Sequence, residues 1–326
     1  MAIDWTPLVD LVRQHRRFLL TTHVRPDGDG LGSMLALADA LESQGKTVQM
    51  AVASVIPPRY DFLDPAKRVR QFIAPGDEYR QAEALIVLDT GTWNQLGDIG
   101  ALLRELPGPR VVIDHHLTQD DLGGARLVDT SAEATGRLVY EAITALHVPL
   151  SAEAAHCLFV ALAMDTGWFR HNNTTPATFH LAERLVEAGA RPTQAYESLF
   201  EQSSAARLRL TGRVLSRLEV VHGGRICMTE IHRDDYQQTG ALPQDSEDLV
   251  NYTRSVAGVE VGLFFMEQPR GGVKVSFRSR QIDVARIAEQ FQGGGHRLAA
   301  GAIVERPLAE AKAEVLKAVI AALPGT

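Results

Sequence analysis

Cysteine is nearly missing from this chain: there are two in 326 residues, Cys157 and Cys227, in neither a paired nor a disulfide-rich spacing. Their scarcity excludes a disulfide scaffold and a thiolate zinc site, implies a reducing compartment, and leaves both as small buried hydrophobes. Long apolar runs are missing too, since no stretch approaches the ~18 consecutive apolar residues of a membrane span. The opening MAIDWTPLVDLVRQHRRF lacks the apolar stretch and small-residue cleavage site of a secretory signal, so the expected location is the cytoplasm, with no membrane. Nor is there an excess of positive charge. The net charge of −7 argues against a protein that coats duplex nucleic acid, because neutralising phosphates takes surplus Lys and Arg. The acids are unevenly placed: residues 1–204 carry 17 Lys and Arg against 26 Asp and Glu, and residues 205–326 carry 16 against 14.

No internal repeat is found, and 45% hydrophobic residues with 27 Gly and 15 Pro describe an ordinary globular chain of about two domains. Short apolar runs bounded by polar residues predict strands at RFLLTT (17–22), TVQMAVA (47–53), EALIVLD (83–89) and RVVIDHH (110–116). Helical spacing lies between them, as in LGSMLALADALESQ (31–44), which stops at Gly45. Alternating strand and helix predicts an α/β fold with a parallel sheet covered on both faces. Three helices follow over 132–189, and ARPTQAYESLFEQSS reads as a linker helix. Beyond it, hairpins centred on Gly223–Gly224 and Gly271–Gly272, a helix from Asp283 to Gln290, a Gly-rich loop, the strand AGAIVE and a last helix predict a smaller α+β domain. The expected boundaries are 1–190, a linker at 191–204, and 205–326.

Three of the apolar strands end in potential metal ligands. RFLLTT is followed by His23, Asp27 and Asp29, EALIVL by Asp89, and RVVI by Asp114, His115 and His116. In an open parallel sheet the carboxyl ends of strands line the ligand crevice, so residues distant in sequence can converge there. Asp165, after CLFVALAM, ends a helix that could reach the same place. Carboxylates gathered in this way repel one another unless cations sit between them. His and Asp without Cys suit Mn²⁺, Mg²⁺ or Zn²⁺, and there are enough ligands for two ions sharing one carboxylate. Taken singly, the same residues also fit Asx turns, helix caps or a buried histidine pair. A dinucleotide loop at GDGLGS is rejected, because Asp27 and Asp29 would face the pyrophosphate.

The order His23, Asp27, Asp29, then Asp89, then Asp114-His115-His116, then Asp165 resembles the DHH phosphoesterase superfamily, and GGGHRLAAGA (293–302) resembles the signature of the DHH-associated C-terminal domain. A chain of this size is similar to the nanoRNase/pAp-phosphatase (NrnA-like) group, whereas the related RecJ exonucleases usually add domains. The resemblance implies that His23, Asp27 and Asp89 hold one metal and that Asp29, Asp89, His115 and Asp165 hold the other, with Asp89 as the bridge. The ions, Mn²⁺ by preference with Mg²⁺, Co²⁺ or Zn²⁺ as alternatives, would activate a hydroxide for in-line attack on phosphorus. His116 would bond the scissile phosphate or assist the leaving group, and Asp114 would orient it.

For substrate binding, Gly293, Gly294 and Gly295 offer backbone N–H groups, flanked by His296 and Arg297, and alternation along VKVSFRSR puts Arg278 and Arg280 on one face with Ser279 between them. The competing readings are a tight turn and a solvated edge strand. An active site in a cleft between an acidic metal-loaded domain and a phosphate-gripping one would favour short single-stranded oligonucleotides, dinucleotides and pAp. The function implied is hydrolysis of nanoRNA to mononucleotides and of pAp to AMP. A cyclic di-AMP or linear dinucleotide phosphodiesterase and a noncatalytic nucleotide-binding regulator stand as alternatives. Trp168 and Phe169 could stack on a base or simply pack, and His171, Asn172 and Asn173 could alter specificity. A homodimer is implied only by the resemblance.

Overall fold

The computed structural model describes residues 3–324 and divides into two units, with the boundary after Gln202. Unit 1 comprises α1 (Thr6–Gln14), β1 (Arg17–Thr21), α2 (Gly28–Ser43), β2 (Thr47–Val52), β3 (Val69–Gln71), β4 (Ala84–Leu88), α3 (Trp93–Leu96), α4 (Ile99–Glu105), β5 (Arg110–Asp114) and β6 (Ala125–Val128), followed by α5 (Thr135–Ala145), α6 (Ala152–Asp165), α7 (Pro176–Glu187) and α8 (Pro192–Phe200). Its six strands are all parallel, in the order β3-β2-β1-β4-β5-β6. The chain builds outward from β1 to β3, then crosses back to place β4 on the other side of β1. This reversal opens a crevice at the carboxyl ends of β1 and β4.

Alternate strand residues feed two cores. Phe18, Leu20, Ile86, Leu88 and Ile113 meet α1, α2, α5 and α6 on one face, while Leu19, Leu85, Val87 and Val112 meet α3 and α4 on the other. β4, in the middle, is buried at every position, which is why it reads as an unbroken apolar run. Truncating Leu88 to Ala would cost ~2–5 kcal/mol. The edge strands β3 and β6 were not expected, because VRQ and ARLV are only three and four residues long and each is interrupted by an Arg. The predicted linker helix is α8 and belongs to unit 1: Ala195 is fully buried, and Tyr196 and Phe200 pack edge-on against Trp168 at 5.2 and 5.4 Å.

Unit 2 contains α9 (Ala205–Ser216), β7 (Glu219–Val221), β8 (Ile226–Ile231), α10 (Arg233–Thr239), α11 (Val250–Arg254), β9 (Val261–Glu267), β10 (Val273–Ser279), α12 (Val284–Glu289), β11 (Gly294–His296), β12 (Ala299–Val304) and α13 (Leu308–Ala322). Its mixed sheet runs β11-β12-β10-β9-β8-β7, with β8 and β9 parallel and the other pairs antiparallel. Both expected hairpins form. The Gly-rich segment is not a loop but an edge strand, β11, paired to β12. Glycines carry no side chain from which a period could be read. Among the described residues no helix is long and apolar enough to cross a membrane.

Candidate metal centre

β1, β4 and β5 lie side by side and deliver His23, Asp89 and His115 to one rim of the sheet. α2 starts at the same rim, capped by Asp27, whose carboxylate accepts from the N–H of Asp29 at 3.0 Å and of Gly30 at 3.1 Å. Asp29 sits in the first turn and is 1% exposed. Asp165 is the last residue of α6. The helices reach the site because small residues let their backbones approach. A Cβ on Gly136 would lie 2.6 Å from Ala161 Cβ, and one on Gly32 would run into the Cys157 carbonyl. Gly30 has the same significance within the site, since a Cβ there would lie 3.3 Å from both His23 Nε2 and Asp89 Oδ2 and would overlap Thr22.

Among the described residues the ligand atoms fall into three groups, His23 with Asp27 and Asp89, Asp29 with His115 and Asp165, and Asp89 with His115 and His116, the last sharing Asp89 with the first and His115 with the second; the donor atoms of each group lie within 4.8 Å of one another. Asp89 faces the first two: its Oδ2 is 3.4 Å from His23 Nε2 and its Oδ1 is 3.6 Å from His115 Nε2. The Asp89 backbone is left-handed, with φ of 60°, a conformation an Asp tolerates better than most residues and one that concentrates at functional sites. His115 Nε2 is also 3.7 Å from Asp29 Oδ2 and 3.6 Å from Asp165 Oδ2. Both rings have fixed orientations: Nδ1 of His23 donates to the Val24 carbonyl at 2.9 Å, and Nδ1 of His115 to the Ala132 carbonyl at 3.1 Å. Each therefore turns Nε2 toward the carboxylates, the usual arrangement behind a metal-binding imidazole.

The electrostatics match a cation site. Burial and the neighbouring Asp89, Asp165 and Asp27 push the Asp29 carboxyl well above the ordinary range. Burial also raises Asp165, with His115 opposing and Asp89 and Asp27 adding to the rise. Burial disfavours a charge on His23, yet its bonds to Asp27 and Asp89 outweigh that and hold its proton up to about 11. Those bonds also depress Asp27 against its own burial. Four carboxylates and two imidazoles, with the buried Thr22 hydroxyl beside them left without a partner among the described residues, fit hard to borderline divalent ions.

His116 lies at the margin of this set, its Nδ1 3.8 Å from Asp89 Oδ1. Its Nδ1 bonds Asp114 Oδ1 at 2.7 Å, and the side chain is 54% exposed. With Nδ1 engaged, the ring offers only Nε2 outward. Asp114 is fully buried and also accepts from the N–H groups of His115 and His116 at 2.9 and 3.2 Å. The bond to His116 lowers the Asp114 carboxyl against its burial and raises the His116 ring.

Sequence reasoning missed three residues here. Thr135 donates its N–H to Asp29 Oδ2 at 2.7 Å and its hydroxyl to Asp89 Oδ1 at 2.9 Å, and Gly136 N–H bonds Asp29 Oδ1 at 2.8 Å. Gln119 contacts Asp114 Oδ2 and bonds the His116 carbonyl at 3.0 Å. A Thr-Gly pair opening a helix was the one available hint for Thr135, and nothing marked Gln119.

Trp168 and Phe169 pack rather than offer a stacking face. With Gly167 they form three successive left-handed residues after α6, which turns Trp168 onto Phe159, Tyr196 and Phe200 and Phe169 onto Phe179. Asn173 donates to the carbonyls of Glu133 and Asp165 at 3.1 and 3.3 Å, and His171 lies 3.4 Å from the Asp165 carbonyl, so both brace the end of α6.

In unit 2 the expected phosphate-binding set is only partly presented. Arg278 is on β10, but the strand ends at Ser279, so Arg280 does not share a strand face with it. Its guanidinium instead bonds the carbonyls of Val259 and Arg254, both at 3.0 Å. Ser279 is 1% exposed, and its Oγ accepts from the N–H of Gln281 and Ile282 at 3.2 and 2.8 Å, so it closes the turn. Gly293 and Gly295 are needed for packing, since a Cβ on either would come within 2.6 Å of Ala302 Cβ or Ala300 Cα respectively. Gly294 has open space around it. His296 and Arg297 are exposed.

Residues 17–162 match the DHH family, N-terminal domain, and residues 224–324 match the DHHA1 domain. The chain is similar to the bifunctional oligoribonuclease and PAP phosphatase NrnA of Thermus thermophilus, at 33% identity over 92% of this chain and 88% of that one. It is also similar to the protein of the same description from Bacillus subtilis, at 26% identity over 92% and 93%. An exopolyphosphatase-related protein from Bacteroides fragilis has a solved structure that superposes with a TM-score of 0.83 at 25% identity, covering 97% of this chain and 94% of that one.

Proposed function

The chain belongs to the DHH family of phosphoesterases, and from that premise we propose that it hydrolyses short oligonucleotides to mononucleotides and pAp to AMP, using two divalent ions, Mn²⁺ by preference. The relatives named as oligoribonuclease and PAP phosphatase extend along most of this chain. The observation that carries the reading is Asp89, whose two oxygens face two separate ligand groups. His23, Asp27 and Asp89 would hold one ion, and Asp29, Asp89, His115 and Asp165 the other. Bound there, divalent ions lower the pKa of water and offset charge on the phosphoryl oxygens.

The protein's own groups supply the rest. Nε2 of His116 is turned outward, where it bonds a phosphoryl oxygen or gives a proton to the leaving oxygen. Asp114 fixes the ring from behind. In unit 2, Arg278, His296 and the N–H groups around Gly294 are the proposed grip for a second phosphate, while Ser279 and Arg280 support the turn beside them.

Product analysis after incubation with Mn²⁺ and, separately, a dinucleotide, 5- and 24-nucleotide RNAs, pAp, cyclic di-AMP and pyrophosphate tests the reading. Mononucleotides from the short RNAs together with AMP from pAp are expected. Preference for cyclic di-AMP would move the function to second-messenger turnover, and no hydrolysis with any divalent ion would refute an enzymatic role. Sedimentation of the full chain tests the homodimer implied by the family.

A further inference from the structure

We infer that Gln119 is a positioning residue that fixes the orientation of His116 through Asp114. The buried Asp114 carboxylate divides its work unequally: Oδ1 accepts from the His115 and His116 N–H groups and from His116 Nδ1, whereas among the described residues Gln119 Nε2 alone donates to Oδ2. The same amide nitrogen donates to the His116 carbonyl at 3.0 Å. Both partners are acceptors, so the amide can be turned only one way, with NH₂ toward Asp114 and His116 and Oε1 away from them. Oε1 is then buried without a partner among the described residues. A buried unsatisfied acceptor costs stability, and such costs are retained where the group does other work.

The surroundings make room for this amide. Gly91, two residues after Asp89, lacks the Cβ that would overlap the Gln119 side chain. Residue 119 is also stitched to that loop, pairing as an isolated bridge with Gly91, whose carbonyl accepts from Asp120 N–H at 2.7 Å. Gln119 thus ties the loop after β4 to the loop after β5. Removing its NH₂ strips Asp114 Oδ2 of its donor, frees the carboxylate to rotate, and releases the His116 ring that Oδ1 had been holding.

This inference rests on the reading of His116 as the group that assists the leaving oxygen, and two measurements separate the failures. The variant is Gln119→Met, which keeps the bulk and removes both donors. With pAp, kcat is expected to fall ~10–100-fold while KM and Mn²⁺ affinity stay within about twofold. With the p-nitrophenyl ester of thymidine monophosphate, whose leaving phenolate needs no proton, the loss is expected to be under about threefold. His116→Ala should show the same dependence on leaving group. If it does and Gln119→Met lowers both substrates equally, the positioning role is overturned while the reading of His116 stands. If His116→Ala lowers both substrates equally, the reading of His116 is what fails. Independently of turnover, long-range ¹H–¹⁵N correlations of the chelated protein report the His116 ring. The wild-type ring should show a protonated Nδ1 and the Gln119→Met ring an averaged pattern, and an unchanged pattern would overturn the inference.

Discussion

Replacing Asp165 by Asn should stabilise the protein when metal is chelated and remove most of the stabilisation contributed by one of the two Mn²⁺ ions. Asp165 suits this test because, among the described residues, no backbone or hydroxyl donor bonds its carboxylate, whereas Asp29 would leave the N–H groups of Thr135 and Gly136 without their acceptor. Oxygens of Asp29 and Asp165 lie within 4.8 Å of each other. At an effective dielectric of about 20, full charges at that distance repel by ~3.5 kcal/mol. Asp165 is 32% exposed and also attracts His115 at 3.6 Å, so solvent screening and the lost attraction reduce the net relief to ~1–2 kcal/mol. For a unit of about 200 residues this raises Tm by ~2–8 °C. The pH dependence has a definite sign. Both carboxyls titrate above their ordinary range, so the folded state binds their protons more tightly than the unfolded one. The chelated wild type therefore loses stability as pH rises from the ordinary carboxylate range through the raised pKa values. Asn at 165 flattens that slope. A bound ion at a hundred times its Kd contributes ~2.7 kcal/mol, and the variant should lose most of one such increment. Differential scanning calorimetry with chelator and with Mn²⁺, at several pH values, reads all three effects. A chelated Asp165→Asn protein that melts below wild type, or one that keeps the full Mn²⁺ gain, refutes the assignment.

Other substitutions probe single features. In Asp89→Asn the amide must turn its NH₂ toward either His23 or His115, so one ligand group always loses an acceptor, and phosphoester hydrolysis should fall at least ~10³-fold; activity within tenfold of wild type would remove Asp89 as the bridge. Thr135→Val deletes the hydroxyl that holds Asp89 Oδ1 and should weaken Mn²⁺ binding ~10–100-fold by calorimetric titration, with Thr135→Ser restoring it. Gly30→Ala places a Cβ against Thr22, His23 and Asp89 and should impair Mn²⁺ binding, whereas unaltered binding would show that the loop can move aside. Gly293→Ala should lower the melting temperature of unit 2 because the methyl meets β12, while Gly294→Ala, in open space, should fold normally and raise KM if the N–H groups beside it bind phosphate.

Strands, helices and ligand types could be read from local chemistry because each leaves a local mark. An apolar run such as ALIVL is a strand buried on both faces, and an Asp or His at its end stands out against it. Cys157 and Cys227 were legible as core for the same reason. Short or featureless elements were not: β3 and β6 are three and four residues long on the sheet edges, β11 is mostly glycine, and α8 resembled a connector until its aromatic face met Trp168. At the site, the sequence supplied the ligands but not their partners. The order that puts β1 between β2 and β4, the glycine-permitted approach of α2, α5 and α6, and the reach of Thr135 to two carboxylates separated from it by 106 and 46 positions exist only once distant segments are packed. The same holds for Arg280 and Ser279, which looked like ligand groups in a linear reading and are spent on their own backbone in the folded chain. Hydrogen bonds across such separations leave no period or composition in the sequence, because what selects the residue is a neighbour that the chain brings near only by folding.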